Sequence, residues 1–91
     1  MLLQVVMNEC NARYVYLLRS VGDPSRTYFG LTSDVEERLA THNSGGSRFT
    51  APHRPWALVL SMEFADSDRA KAFEHYLKSG SGRAFARRHL L

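Results

Sequence analysis

The chain has a single cysteine, no long apolar run and only two lysines, and the first two shortages each exclude a class of protein. Cys10 by itself cannot build a disulfide framework or a cysteine-based zinc site. No segment approaches the roughly 20 apolar residues of a membrane helix. The apolar residues 1–7 lack the basic start and the cleavage site of a secretion signal. We therefore expect a cytoplasmic protein with no membrane partner.

The length and composition suit one domain. The chain has 91 residues, of which 44% are hydrophobic, an ordinary share for a globular protein. A domain of this size buries about 60–65% of the surface that its unfolded chain exposes. We place the domain at residues 13–91 and treat residues 1–12 as an N-terminal leader, with Met1 and Met7 as alternative starts.

The charge that is present is mostly arginine. Lysine and arginine number twelve, ten of them arginine, and the formal net charge is +3. The planar guanidinium group can hold a phosphate through two parallel hydrogen bonds, which an ammonium group cannot do. This modest excess points to nucleic acid only weakly, because many unrelated small proteins share it.

Two apolar runs that contain tyrosines stand close together near the start of the domain. Residues 13–20 alternate in the way typical of a strand, residues 21–26 contain Gly, Asp and Pro, and residues 27–32 read as a partner strand. The pattern predicts a β-hairpin. Tyr16 and Tyr28 then lie on neighbouring strands, where their side chains can meet.

The next segment has helix signals at both ends. Ser33 and Glu36 form a capping-box pattern, and the asparagine and glycines at 43–46 end the helix. Val35 and Leu39 give the core face at i, i+4. Arg38 and His42 share a neighbouring face at the same spacing.

The second half of the chain predicts a strand and two more helices. Residues 48–55 read as a loop, and residues 56–64 are apolar enough for a central strand. Asp66 caps a helix that runs to about residue 78, and residues 79–83 break it before a short basic helix. The expected buried stripe of the first of these helices is Ala70, Phe73 and Leu77. The predicted fold is α/β (α+β), order ββαβαα, with a three-stranded, mainly antiparallel sheet flanked by helices.

Five polar residues fall on these elements in a recognisable order. Tyr16 and Tyr28 lie on strands, Arg38 and His42 on the first helix, and Glu74 on the second. With the triplets YVY at 14–16 and YFG at 28–30, the chain resembles the GIY-YIG nuclease superfamily, in particular its small bacterial members and the nuclease domain of structure-specific endonucleases. The resemblance runs from about residue 14 to residue 89 and implies the GIY-YIG fold.

The resemblance also implies a chemistry. Members of the family use one divalent metal ion, Mg²⁺ or Mn²⁺, which Glu74 would hold beside the leaving oxygen; Mg²⁺ accepts one carboxylate plus waters and phosphate oxygens. Arg38 would bind the scissile phosphate. Either tyrosine could be the general base, with Tyr16 slightly favoured. His42 would assist the proton transfer or bind an adjacent phosphate.

Each residue also has a simpler interpretation when taken alone. The tyrosines suit half-buried strand positions, and the histidine suits a helix C-terminus. Arg38 can pair with Asp34, and Glu74 with Lys71 or Lys78, at the i, i+4 spacing. All of these simpler interpretations would have to hold together for the five-residue match to be an accident.

The resulting functional hypothesis is a metal-dependent endonuclease that acts on DNA. A domain this small offers little surface for reading bases, so we expect selectivity for shape, such as branched or single-stranded DNA, and a role in DNA repair. The alternatives are a catalytically inactive nucleic-acid-binding module and an interaction subunit of a larger nuclease. Five arginines could contact the nucleic acid or simply be solvated: Arg48, Arg54, Arg83, Arg87 and Arg88.

Overall fold

A computed structural model of the chain describes residues 12–91. Cys10 and nearly all of the predicted leader lie outside the described residues, so the boundary predicted at residue 13 stays a prediction. In the described part of the chain, no helix is long and apolar enough to cross a membrane.

Three antiparallel strands form the sheet. β1 (Tyr14–Ser20) and β2 (Thr27–Thr32) make the predicted hairpin, and β3 (Trp56–Glu63) pairs with the other side of β1. The strand order is therefore β2-β1-β3. This confirms the predicted α+β class with an antiparallel sheet.

The central strand is β1, and the prediction that residues 56–64 form the central strand was wrong. Residues 15–18 of β1 are all buried, because helices cover both of its faces and a strand lies on each side. β3 is an edge strand, and its Leu58 is 41% exposed. A run of apolar residues indicates a strand but cannot distinguish an edge from a centre, since pairing partners decide that.

The first helix, α1 (Val35–Asn43), begins one residue later than its capping pattern predicts. The N-cap is Asp34, whose Oδ1 accepts a hydrogen bond from the backbone N–H of Glu37 at 3.1 Å. Thr32 Oγ1 accepts the Asp34 N–H at 3.1 Å and so fixes the entry of the chain into the helix. Serine and aspartate are about equally good N-caps, so the capping pattern alone did not distinguish Ser33 from Asp34.

Helices α2 (Ser67–Leu77) and α3 (Gly80–His89) cover one face of the sheet. Their buried contacts are with Val15, and the cluster includes Ala70, Leu77 and Ala86, with Phe73 packed against it. The predicted stripe of the second helix is confirmed. Asp66 is its N-cap, as predicted, and accepts the N–H of Asp68 at 2.9 Å.

The break between α2 and α3 is shorter than the glycine and serine content suggests. Ser79 caps α3 by accepting the N–H of Gly82 at 3.1 Å, so the predicted breaker, residues 79–83, mostly lies inside the helix. A Cβ at position 82 would collide with the backbone carbonyl of Tyr76. Glycine is needed there because the start of α3 lies directly against the end of α2.

The opposite face of the sheet packs against α1. Tyr16, Leu18 and Trp56 are buried together there, with Val35 and Leu39 of α1 against them. Asn43, at the end of α1, accepts the backbone N–H of Trp56 at 2.6 Å and donates to its carbonyl at 3.0 Å. One side chain therefore ties the end of α1 to the start of β3.

Candidate active site

The strand pairing brings the two tyrosines together. Leu18 lies opposite Tyr28, and Tyr16 lies opposite Gly30, so both phenol rings lie on the same face of the sheet as diagonal neighbours. Their ring centroids are 6.3 Å apart. The ring of Tyr16 passes over Gly30, where a Cβ would overlap the phenol. The glycine of the second triplet thus makes room for the tyrosine of the first.

His42 lies against both phenols. Its ring centroid is 5.8 Å from that of Tyr16 and 5.0 Å from that of Tyr28. The imidazole is buried, 1% exposed, and each ring nitrogen has a side-chain partner. The second partner is the hydroxyl of Thr50, in the loop before β3, which is also buried and which the sequence analysis did not single out.

The hydrogen-bond chain through His42 favours one tautomer. With the ring hydrogen on Nδ1, His42 donates to Thr50 Oγ1 at 2.6 Å, and the Thr50 hydroxyl donates to the Ser47 carbonyl at 3.5 Å. The Tyr16 hydroxyl then donates to Nε2 at 2.8 Å. In the other tautomer, the Tyr16 hydrogen has no acceptor among residues 12–91. We therefore assign the ring hydrogen to Nδ1, since this arrangement gives every hydrogen an acceptor.

Burial and nearby charges act on the protonation of this cluster. Burial raises the pKa of the Tyr16 phenol, and the neighbouring Tyr28 and Glu74 act in the same direction. The guanidinium group of Arg38 acts against them and favours the phenolate. Burial also lowers the pKa of His42, and the positive charge of Arg38 lowers it further. At neutral pH the site therefore holds a neutral imidazole that accepts a hydrogen bond from a protonated phenol.

Glu74 lies near the phenols, although α2 covers the other face of the sheet. Its negative charge raises the pKa of Tyr16. Its Oε2 is 2.7 Å from Lys78 Nζ, and that nitrogen lies 5.5 Å from the centre of the Tyr28 ring. α2 places the carboxylate there, because Phe73 and Leu77 pack α2 against the core and position 74 follows Phe73 at the edge of that packing. The structure thus brings together the five residues selected from the sequence.

The donor set fits a hydrated metal ion better than a protein cage. Within residues 12–91, no group of three or more His, Cys, Asp or Glu side chains lies close enough to hold a metal ion. Glu74, the metal ligand predicted from the sequence, is the carboxylate whose charge acts on Tyr16. A single carboxylate with waters and a phosphate oxygen is a common environment for Mg²⁺. The residues present therefore fit such an ion.

A basic cleft adjoins the cluster. It has a volume of about 830 Å³ and is lined by the β1–β2 hairpin, the loop before β3, the end of α2 and α3. Tyr28 lines the cleft, and so do Thr50 and Lys78, the partners of His42 and Glu74. The other four selected residues are not part of its lining. The arginines of its lining are Arg19, Arg26, Arg83 and Arg87.

Only two of the five arginines predicted to contact nucleic acid line the cleft. Arg83 and Arg87 line it, whereas Arg88 lines a shallow pocket elsewhere on α3. Arg48 is absent from the lining, and the guanidinium of Arg54 lies against Gly45. The two arginines of α3 nearest the site thus sit four residues apart, on one helix face.

Other cleft residues escaped the sequence analysis. Arg19 and Arg26 flank the hairpin turn, and Arg26 pairs with Asp23 at 3.5 Å. Phe49 is 79% exposed on the loop before β3 and lines the cleft. A phenylalanine in an otherwise polar loop, between an arginine and a threonine, could have indicated that Phe49 is an exposed binding residue. No local pattern marked Thr50.

A family model with the description "GIY-YIG catalytic domain" matches residues 12–88. The chain belongs to the GIY-YIG family. The resemblance drawn from the two triplets and the three later residues is therefore confirmed. The family consists of nucleases, which are generally metal-dependent.

Several relatives share most of the GIY-YIG chain. A UPF0213 protein of Lactococcus lactis subsp. cremoris is 36% identical over 69 residues, which are 75% of this chain and 68% of that protein. Structure-specific endonuclease subunit SLX1 of Candida dubliniensis is 37% identical over 83 residues, which cover 84% of this chain but 28% of that protein. The solution NMR structure of a UPF0213 protein from Bacillus halodurans is 29% identical, with a TM-score of 0.50, and covers 84% of this chain and 82% of that one.

Proposed function

We propose that this protein is a metal-dependent endonuclease that hydrolyses phosphodiester bonds in DNA. The observation that carries the proposal is the convergence of Tyr16, Tyr28 and His42 beside Arg38 and Glu74, next to a basic cleft that Tyr28 lines. Hydrolysis needs an activated water, a neutralised phosphate and a stabilised leaving oxygen. The cluster contains a group suited to each of these tasks.

Tyr16 is our candidate for the general base. Its hydroxyl donates to the neutral Nε2 of His42, so the phenol oxygen can accept a proton from water while its own proton passes to His42. This route avoids a free tyrosinate, which the raised pKa of Tyr16 disfavours. His42 is buried, with both ring nitrogens engaged, which supports proton transfer over phosphate binding.

Arg38 and Glu74 serve the phosphate. The exposed guanidinium of Arg38 faces the Tyr16 phenol and can hold two oxygens of the scissile phosphate as negative charge grows on them. Glu74 would hold the metal ion. That ion, when bound, supplies positive charge to the phosphate and the leaving oxygen.

The basic cleft supports DNA as the substrate. Its cations can pair with backbone phosphates, which every sequence presents alike. Phe49 offers a flat aromatic face that a base can stack on once it is unpaired. The cleft therefore favours branched or single-stranded DNA over a sequence-selected duplex.

One observation favours a second candidate, a nucleic-acid-binding module without catalysis. Lys78 neutralises the Glu74 carboxylate at 2.7 Å. If that ion pair persisted in the complex with DNA, the cleft would bind phosphates and no metal ion would reach the carboxylate.

The test is cleavage of labelled flap, splayed, single-stranded and duplex DNA with Mg²⁺, Mn²⁺ or EDTA. The wild type should cut in Mg²⁺ or Mn²⁺ and not in EDTA. Glu74→Gln should bind the DNA and lose at least about 100-fold in cleavage rate, as removal of a key charge-stabilising group commonly does. Glu63→Gln is the matched control, because Glu63 pairs with Arg13 at 3.2 Å away from the cleft.

Two results would contradict the proposal. DNA binding without strand breaks under every condition would favour the second candidate, a nucleic-acid-binding module without catalysis. Equal cleavage by Glu74→Gln and Glu63→Gln would remove Glu74 from the chemistry.

A further inference from the structure

The ion pair between Glu74 and Lys78 joins two residues of unequal exposure. The Glu74 side chain is 16% exposed and the Lys78 side chain 47%, with 2.7 Å between Oε2 and Nζ. The more exposed ammonium group therefore lies against the oxygen of the less exposed carboxylate. A divalent ion on this carboxylate would repel the ammonium group, because like charges held close together at a partly buried site raise the free energy.

Lys78 also borders the cleft in which a substrate phosphate would lie. Nζ lies 5.5 Å from the centre of the Tyr28 ring, and the residue lines the cleft with Arg83 and Arg87. Lys78 is also the C-cap of α2, so its backbone is fixed while the flexible four-carbon side chain can turn. A rotation of this one side chain would therefore bring its charge from Glu74 to a phosphate bound in the cleft.

We propose that Lys78 is a positioning residue that alternates between two anions. In the metal-free protein it neutralises the half-buried Glu74 carboxylate and keeps it in place. When a divalent ion binds Glu74, Lys78 leaves the carboxylate and pairs with a substrate phosphate beside Tyr28. This inference rests on the proposed function, since it takes Glu74 as the metal ligand.

The sequence context makes the assignment specific to Lys78. The chain contains two lysines, and both lie on or directly after α2. Lys71 precedes Glu74 by three residues and is exposed, and in the described part of the chain it makes no ion pair within 4.0 Å. Lys71 therefore provides a control of the same chemistry on the same helix.

Metal binding tests the inference directly. Calorimetric titration with Mn²⁺ should show tighter binding to Lys78→Met than to the wild type. An exposed ion pair is worth about 0.2–1 kcal/mol, which corresponds to a gain of about 1.5- to fivefold in affinity. Lys71→Met should bind Mn²⁺ as the wild type does, and Glu74→Gln should not bind it.

DNA affinity supplies the second readout. With Ca²⁺ in place of Mn²⁺, Lys78→Met should bind labelled single-stranded DNA more weakly than the wild type does. In EDTA the difference should shrink, because Lys78 then stays on Glu74 and contributes less to the DNA.

The outcomes separate this inference from the proposed function. Unchanged or weaker Mn²⁺ affinity in Lys78→Met, together with lost affinity in Glu74→Gln, overturns the role of Lys78 and leaves the nuclease proposal intact. Wild-type Mn²⁺ affinity in Glu74→Gln removes the metal ligand and overturns both.

Discussion

At His42, burial and two hydrogen-bonded hydroxyl groups act on one imidazole. Tyr16 and Thr50 engage its two nitrogens, Tyr28 packs against its ring, and Arg38 places a positive charge nearby. Burial first, and then the positive charge of Arg38, favour the neutral ring, so its pKa lies below the ordinary value of 6.5. The same state is the one that can accept the proton of Tyr16.

This predicts a specific loss of stability in mild acid. In the unfolded chain His42 takes up a proton near pH 6.5, whereas the folded chain resists protonation to lower pH. The stabilisation is complete above about pH 6.5 and is lost as the pH falls through the folded-state pKa. Thermal unfolding from about pH 7.5 to about pH 5.5 should show this loss for the wild type and much less of it for His42→Gln.

His75→Gln is the control for that measurement, since His75 is exposed on α2. It should retain the wild-type pH dependence. The same pH dependence in wild type and His42→Gln would contradict the assignment of a neutral, buried imidazole.

Among the secondary-structure elements, the junction of α2 and α3 shows how one glycine fixes an orientation. Gly80 and Gly82 both lie in the first turn of α3, but a Cβ would meet nothing within 4 Å at position 80 and the Tyr76 carbonyl at position 82. The close approach at Gly82 helps to hold α3 against α2. That contact in turn sets where Arg83 and Arg87 lie.

Alanine substitution should separate the two glycines. Gly82→Ala should destabilise the fold by about 1–3 kcal/mol, because the added carbon forces the two helices apart. Gly80→Ala should be neutral or stabilising by up to about 1 kcal/mol, since alanine favours a helix. Urea unfolding measures both. A free energy of unfolding that falls equally in the two variants would contradict the close approach at position 82.

For the molecule as a whole, the cleft adjoins the cluster through Tyr28 and Thr50. The cleft is lined from the hairpin, the loop before β3, the end of α2 and α3, so its charge comes from segments far apart in the chain. Arg83 and Arg87 contribute to it, and the next arginine, Arg88, does not.

The salt dependence of DNA binding should therefore distinguish neighbouring arginines. Each phosphate contact adds about 0.7–0.9 to the slope of log affinity against log salt. The double variant Arg83→Ala, Arg87→Ala should lose about 1.4–1.8 from that slope, and Arg88→Ala should lose little. Fluorescence anisotropy at several salt concentrations gives the slopes. An equal loss from Arg88→Ala would mean that DNA does not follow the cleft.

The sequence by itself determined the elements, their order and the family. Periodicity, turn residues and caps are local signals, so they predicted the hairpin, the stripe of α2 and the cap at Asp66. The two triplets with Arg38, His42 and Glu74 were sufficient to identify the family, because their order and spacing can be read directly from the sequence.

Only the tertiary structure decided which groups meet. β1 is central because both other strands pair with it, and apolar content alone had favoured residues 56–64. The Thr50 hydroxyl reaches His42 because the loop before β3 folds back to α1. Of the two lysines near Glu74, it is Lys78, beside Tyr28, that pairs with it. Such contacts join residues distant in sequence, or choose between equivalent local partners, and no local pattern encodes that choice.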